Sequence, residues 1–235
     1  MSPKTAPMPP VAPLALFDLD HTLLLGDGDD LWCRFLLRHG LAEQNLQAQN
    51  DAMGADYRAG RVGVDQFSAF YARLLAGRSP AEWAPWQARF LTEEISPRLP
   101  ASAHALVQRH RDAGHCLVLT TASNRVIAER TAAALGFEHL LATELELGAD
   151  GRYTGQVQGV ANMRGGKLVR LRAWLGALGL GAAESEAALA GAWFYSDSIN
   201  DLPLLSAVGK PVAVNADASL LATARERGWG VEVVG

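Results

Sequence analysis

The chain has 235 residues, 49% hydrophobic and 20% charged, with a net charge of −4. That length allows one large domain, or one core with a smaller inserted module. The acidic balance offers no basic face of the kind that nucleic-acid binding needs, and the composition is that of a water-soluble globular protein rather than a membrane or disordered one.

Residues 1–13 hold five prolines and one lysine without a long apolar stretch. They read as a flexible leader, neither signal peptide nor membrane span. Leu14-Ala15-Leu16-Phe17 is a short continuous apolar run that stops at Asp18, the pattern of a buried parallel strand. From Asp29 to Ile95 apolar residues recur at helical spacing, with breaks at Gly40, at Gly60 to Gly63 and at Gly77 to Pro80, which predicts four helices and no strand. Their tryptophans and tyrosines read as a small helical core. The inserted block, 26–98, is expected as a helical cap.

After Pro100 the pattern alternates. A helix over 102–113 stops at Gly114, a strand runs from Cys116 to Thr121, and Ser123 or Asn124 caps a helix ending at Gly136. Cys116 reads as a buried small hydrophobe. It and Cys33 lack partners at metal spacing, which fits a reducing compartment and a cytoplasmic location. A strand near Leu140 precedes a hairpin whose turn is Ala149-Asp150-Gly151-Arg152. A helix over 166–178, a polar alanine-rich loop, a strand ending at Ser196, a short helix from Asn200, a strand over 211–214, a helix over 217–227 and a last strand over 231–234 follow. Strands alternating with helices predict an α/β fold: a Rossmann-like, mostly parallel sheet flanked by helices, built from 14–25 and 99–235. Ligands of such sheets bind beyond the carboxyl ends of the strands.

Polar residues gather at those ends: Asp18 and Asp20 after the first strand, Thr121 after the second, Lys167 behind Gly165-Gly166, and Asp197, Asn200 and Asp201 after Ser196. Phosphoryl transfer needs a nucleophile, a countercharge, donors for the phosphate oxygens and a proton donor for the leaving group. Asp18 can be the nucleophile. Asp20, two residues on, can serve the leaving oxygen, Thr121 offers a hydroxyl, Lys167 a compact positive charge, and Asp197 and Asp201 hard oxygens suited to magnesium.

The string FDLDHTLL matches the DxDxT motif, and YSDSINDLPLL resembles the GDxxND motif, of the haloacid dehalogenase-like superfamily. Thr121 and Lys167 fall where its second and third motifs lie. The chain therefore resembles that superfamily over residues 14–234, and most resembles its phosphoserine-phosphatase-like branch (subfamily IB), some members of which are assigned as histidinol-phosphate phosphatases. Ser196 stands where glycine is common.

The resemblance implies an Mg2+-dependent phosphatase working through an aspartyl-phosphate. Asp18 would be nucleophile and metal ligand. Asp20 would be general acid, then base, binding the metal through its backbone carbonyl. Thr121 and Lys167 would hold the phosphoryl group with Asn200 nearby, Asp197 would bind the metal directly and Asp201 would support it through water. Asp27 matches a glutamate that reads the substrate amine in phosphoserine phosphatases; the plainer reading is an acidic loop with Asp29 or Asp30 capping a helix.

No arginine stands in register around Ala69 to Tyr71, where that branch holds a substrate carboxylate, although Arg58, Arg61 or Arg73 could substitute. The expected partner is thus a small phosphorylated metabolite with an amine and no carboxylate, histidinol phosphate being the leading candidate. Phosphoserine hydrolysis and phosphotransfer on the same scaffold are the alternatives, and a non-catalytic, phosphate-accepting regulatory domain is the alternative of another kind. Asp20 and Asp197 argue against a dehalogenase. Arg164 and Arg170 read as surface charges, and the histidines, including His21, as structural. Oligomeric state is not encoded in any of these features.

Overall fold

The computed structural model describes residues 12–235; the expected leader lies almost wholly outside them. Strand β1 (Leu14–Phe17) is followed by four helices, α1 (Gly28–Arg38), α2 (Leu46–Arg58), α3 (Val64–Arg73) and α4 (Pro80–Phe90). A π-helical turn over Leu91–Ile95 and a 3-10 turn over Ser96–Arg98 lead to α5 (Ala101–Asp112), β2 (Cys116–Asn124), α6 (Arg125–Ala134) and β3 (His139–Thr143). Next come the antiparallel pair β4 (Leu145–Leu147) and β5 (Tyr153–Val157), then α7 (Gly165–Ala177), α8 (Ala182–Gly191) and β6 (Trp193–Ser196). A 3-10 turn over Ile199–Asp201, α9 (Leu202–Leu205), β7 (Lys210–Val214), α10 (Ala218–Arg227) and β8 (Gly230–Glu232) complete the order.

The main sheet has the order β3-β2-β1-β6-β7-β8, with every pairing parallel. All four residues of β1 are buried, and alternate ones serve opposite faces. Ala15 and Phe17 pack on the side of α1, α5 and α6, while Leu14 and Leu16 pack on the side of α7, α8, α9 and α10. This is the two-sided burial that a continuous apolar run predicts. The chain leaves β1 toward β2 on one side and β6 on the other, so the crevice beyond its carboxyl end is the switch point of the sheet.

The four helices after β1 match the expectation, but their aromatics do not form a core of their own. Trp32, Phe35, Trp83 and Phe90 join the same buried cluster as Phe17 and Phe137. Helix α4 starts as its sequence dictates, with Pro80 in the first turn and a reciprocal bond pair between Ser79 and Glu82. The chain segments entering and leaving this block meet where Leu25 N–H donates to Arg98 O (2.9 Å).

Three local readings are corrected. The alanine-rich segment expected as a loop is α8: alanine is the strongest helix former, and Glu184 closes the first turn by accepting from Gly181 N–H (2.7 Å). Strand β2 runs on through Asn124, which then caps α6. Cys116 is half-buried rather than buried. Among the described residues no helix is long and apolar enough to cross a membrane.

Candidate active site

Asp18 continues the sheet for one residue beyond β1, its N–H donating to Tyr195 O (2.9 Å). The chain then turns so tightly that Leu23 and Leu24 N–H both donate to Leu19 O, and His21 adopts φ 56°. A side-chain-bearing residue held there is strained, and such strain collects at functional sites. The turn sets Asp18 and Asp20 on the wall of one cavity of about 150 Å3.

Asp27, Lys167, Asp197, Asn200 and Asp201 line the same cavity. Thr121 does not reach its wall, which is formed there by Ala122. Its hydroxyl is fully buried and donates to Asp20 Oδ2 (3.3 Å). Thr120, the neighbouring alternative, is tied to Asn162 instead.

Lys167, 2% exposed, bridges two carboxylates, donating to Asp18 Oδ1 (2.8 Å) and Asp201 Oδ2 (2.6 Å). Burial opposes its charge, but the two aspartates outweigh that and hold its pKa above the ordinary lysine value. One lysine cannot neutralise the whole group. Burial, and then the charges of Asp18 and Asp201, push Asp197 up to about 8, and burial is also the leading cause that raises Asp18 to about 6.

Such mutual repulsion is relieved by a hard cation, and the donors present are oxygens. Among the described residues no three acidic, histidine or cysteine side chains converge closely enough to hold an ion alone. Asp201 is already engaged by Lys167 and by Ser196 Oγ (2.8 Å). The carboxylates left for such an ion are those of Asp18 and Asp197, with its remaining positions open to water, which suits magnesium's habit of keeping several waters.

Asp20 is held on both oxygens. Gly28 N–H donates to Oδ1 (2.6 Å), and Ser123 Oγ (3.1 Å) joins Thr121 on Oδ2. Burial, with the charges of Asp27 and Asp18, raises it to about 7, so it carries a proton for part of the time near neutrality. Asp18 and Asp20 are thus two residues apart yet differently equipped, one fixed by a cation and one by neutral donors.

The loop after β6 is built to hold Asp197 and Asn200 still. Ser196 Oγ accepts from Ser198 N–H (3.2 Å) while donating to Asp201, so the residue found in place of glycine adds two bonds. Asp217 caps α10 through Leu220 N–H and also accepts from Ile199 N–H (2.8 Å); its own N–H donates to Asp197 O (2.8 Å).

Sequence reasoning missed several of these groups. Gly28, Ser123 and Asp217 act through contacts that only the fold creates. Asp27, not Asp29 or Asp30, caps α1, accepting from Asp30 N–H (2.9 Å). Asp29 is 8% exposed and faces the cavity. Arg164 is exposed, as expected of a surface charge, and it also lines the cavity, with φ 52° and its guanidinium 4.6 Å from the centre of the Tyr57 ring. Arg170 is half-buried and pairs with Glu144, which also binds Arg125.

The family model described as haloacid dehalogenase-like hydrolase matches residues 15–206. A curated relative from Neisseria meningitidis, a histidinol-phosphatase, is 39% identical over 219 residues, covering 93% of this chain and 97% of that protein. A phosphoserine phosphatase of Mycobacterium tuberculosis is 33% identical over 226 residues, covering 92% of this chain and 69% of its own. A crystal structure of a Bordetella pertussis protein of unknown function superposes with a TM-score of 0.88 at 41% identity, covering 94% of this chain and 98% of that one. With the motif aspartates gathered at the switch point of a parallel sheet and the family match spanning most of the sequence, the chain belongs to the haloacid dehalogenase-like hydrolases.

Proposed function

We propose that the protein is a magnesium-dependent phosphatase that carries the phosphoryl group on Asp18. The observation that supports this most directly is the pairing of a lysine-held Asp18 with an Asp20 raised to about 7 on the wall of one cavity. Lys167 occupies Asp18 Oδ1 and fixes the carboxylate. A carboxylate oxygen of Asp18 attacks phosphorus, the P–O bond to the leaving alcohol breaks, and Asp20 gives that oxygen its proton. Asp20, now ionised, takes a proton from water as the water oxygen attacks phosphorus, and the acyl-phosphate P–O bond breaks to restore Asp18. Lys167 and Asn200 would face the phosphate oxygens, and the inserted helices supply Asp29 and Phe67 to the cavity wall. The Asp18 and Asp197 carboxylates and the Asp20 carbonyl would hold Mg2+, which supplies countercharge to the transferring phosphate.

Histidinol phosphate is the substrate we favour. The 39% identity to a histidinol-phosphatase supports it, as does the Asp27 carboxylate on the cavity wall, which suits a cationic ester. Arg164 on the same wall favours a second reading, phosphoserine, because it offers the carboxylate partner missing in register at Ala69 to Tyr71.

Hydrolysis of p-nitrophenyl phosphate with magnesium, with EDTA and with Asp18→Asn tests the chemistry. Turnover is expected with magnesium only, and Asp18→Asn is expected to lower kcat by a factor of at least about 1000, since covalent catalysis has no substitute nucleophile. Magnesium-independent turnover, or full activity in Asp18→Asn, defeats the mechanism. Phosphoserine turned over far faster than histidinol phosphate, with that rate lost in Arg164→Ala, decides for the second reading.

A further inference from the structure

Arg164 stands in a backbone conformation that ordinarily belongs to glycine. Its φ is 52° and its ψ −126°, where Cβ crowds the neighbouring backbone. Glycine stands at the next two positions, Gly165 and Gly166, so the turn into α7 is not short of the residue that would relieve the strain. Strain kept at a functional site marks a side chain in use.

The side chain reaches out to the inserted helices. Its guanidinium lies 4.6 Å from the centre of the Tyr57 ring, in the last turn of α2. Tyr57 lies in turn against Phe67 of α3, with ring centres 4.5 Å apart and planes inclined by 39°. Phe67 lines the cavity that holds Asp18. Three side chains thus connect the loop that carries Lys167 to the apolar part of the cavity wall. Little else fixes this end of α2: of its 13 residues only Leu46, Asn50 and Tyr57 are buried. With so few buried contacts, a cation on an aromatic face is a sizeable part of what holds the helix in place.

We infer that Arg164 is a positioning residue: through Tyr57 it holds Phe67 against the alcohol half of the ester, and so sets how tightly substrates with a sizeable alcohol group are bound. The inference rests on the phosphatase reading and adds to it the residue that places the apolar wall. The competing role is direct contact of Arg164 with a substrate carboxylate or with the phosphate.

The test compares p-nitrophenyl phosphate with acetyl phosphate, which offers only a two-carbon group to the wall; neither carries a carboxylate. The magnesium-loaded wild type, Arg164→Gly, Tyr57→Leu and the double variant are assayed on both. Each single variant is expected to raise KM for p-nitrophenyl phosphate about fivefold, the size of one cation–π contact on a buried ring, with kcat within about twofold. KM for acetyl phosphate should change by less than about twofold. The double variant should be no worse than either single one, because both remove the same contact. Arg164→Lys keeps a cation over the ring and Tyr57→Phe keeps the ring face, so both should retain most of the wild-type KM.

The melting temperature gives a second readout. Arg164→Gly relieves the backbone and should melt at or above the wild-type temperature, whereas a merely structural Arg164 would lower it. Equal rises in KM on both substrates in Arg164→Gly, not reproduced by Tyr57→Leu, place Arg164 on the phosphate and overturn the positioning role. Losses that add in the double variant, or an unchanged KM for p-nitrophenyl phosphate, also overturn it and leave the phosphatase reading standing. No turnover of either substrate by the wild type overturns that reading, and the positioning role with it.

Discussion

A methyl group on Gly28 would lie 2.9 Å from Asp20 Oδ1, closer than side-chain carbons come to oxygen. Alanine there favours the helix by itself, so Gly28→Ala should keep α1 while displacing the Asp20 carboxylate. A fall in kcat of about tenfold or more, with KM and the circular dichroism spectrum little changed, is expected; an unaltered kcat would mean that Asp20 tolerates the shift. Lys167 gives a contrasting case. Lys167→Met leaves Asp18 and Asp201 facing each other without their shared cation, and should cost about 3–5 kcal/mol of stability in urea unfolding of the metal-free protein. The motif aspartates were legible in the sequence because their chemistry demands carboxylates at strand ends in a set order. Gly28 and Ser123 were not, since their value to Asp20 lies in a contact between α1, the end of β2 and the turn after β1. Asp27 took the capping task expected of Asp29 or Asp30 while staying on the cavity wall, and Asp29 joined it there.

At the level of elements, α5 and β6 are joined by His110, 3% exposed, whose Nε2 pairs with Tyr195 Oη (2.8 Å) and whose Nδ1 meets His115 Nδ1 (2.7 Å). Tyr195 stacks on Phe17 of β1 and also accepts from Arg109, which binds Glu232 near the end of β8. Burial, then the charges of His115, Arg109 and Lys210, pushes His110 down to about 4. The folded protein therefore holds this imidazole neutral where the unfolded chain would protonate it. Stability from this source is full above pH 6.5 and is lost as pH falls from 6.5 toward 4, about 2–3 kcal/mol in all. Chemical denaturation at pH 7 and pH 4.5 should show that loss, reduced in His110→Gln; an equal loss in both would assign it to other groups. Element boundaries were mostly legible within two residues, because glycines and capping side chains mark them. Helix α8 was the exception. Its segment lacks a clear apolar stripe, burying only Ser185 and Leu189, so periodicity gave no sign and alanine's intrinsic preference decided.

For the molecule as a whole, the crowd of carboxylates at the switch point is a debt of repulsion that a cation discharges. Saturating magnesium should raise the melting temperature by about 5–10 °C, the size that binding at a hundredfold excess over Kd gives a protein of this length. Asp197→Asn should lose most of that rise in differential scanning calorimetry. The parallel sheet and the inserted helices were legible from the order of patterns along the chain. Their attachment was less so, because part of it is made by backbone atoms that carry no residue signature. Besides the Leu25–Arg98 bond, Gly77 N–H donates to Tyr153 O (2.9 Å) and Tyr153 N–H to Arg78 O (3.0 Å), fastening the α3–α4 loop to the β4–β5 hairpin. Gln87 Nε2 donating to Val126 O (2.7 Å) and the buried cluster that Trp32 and Phe90 share with Phe17 hold the same block from inside, so widening the entrance to Asp18 would have to open apolar contacts as well as backbone bonds.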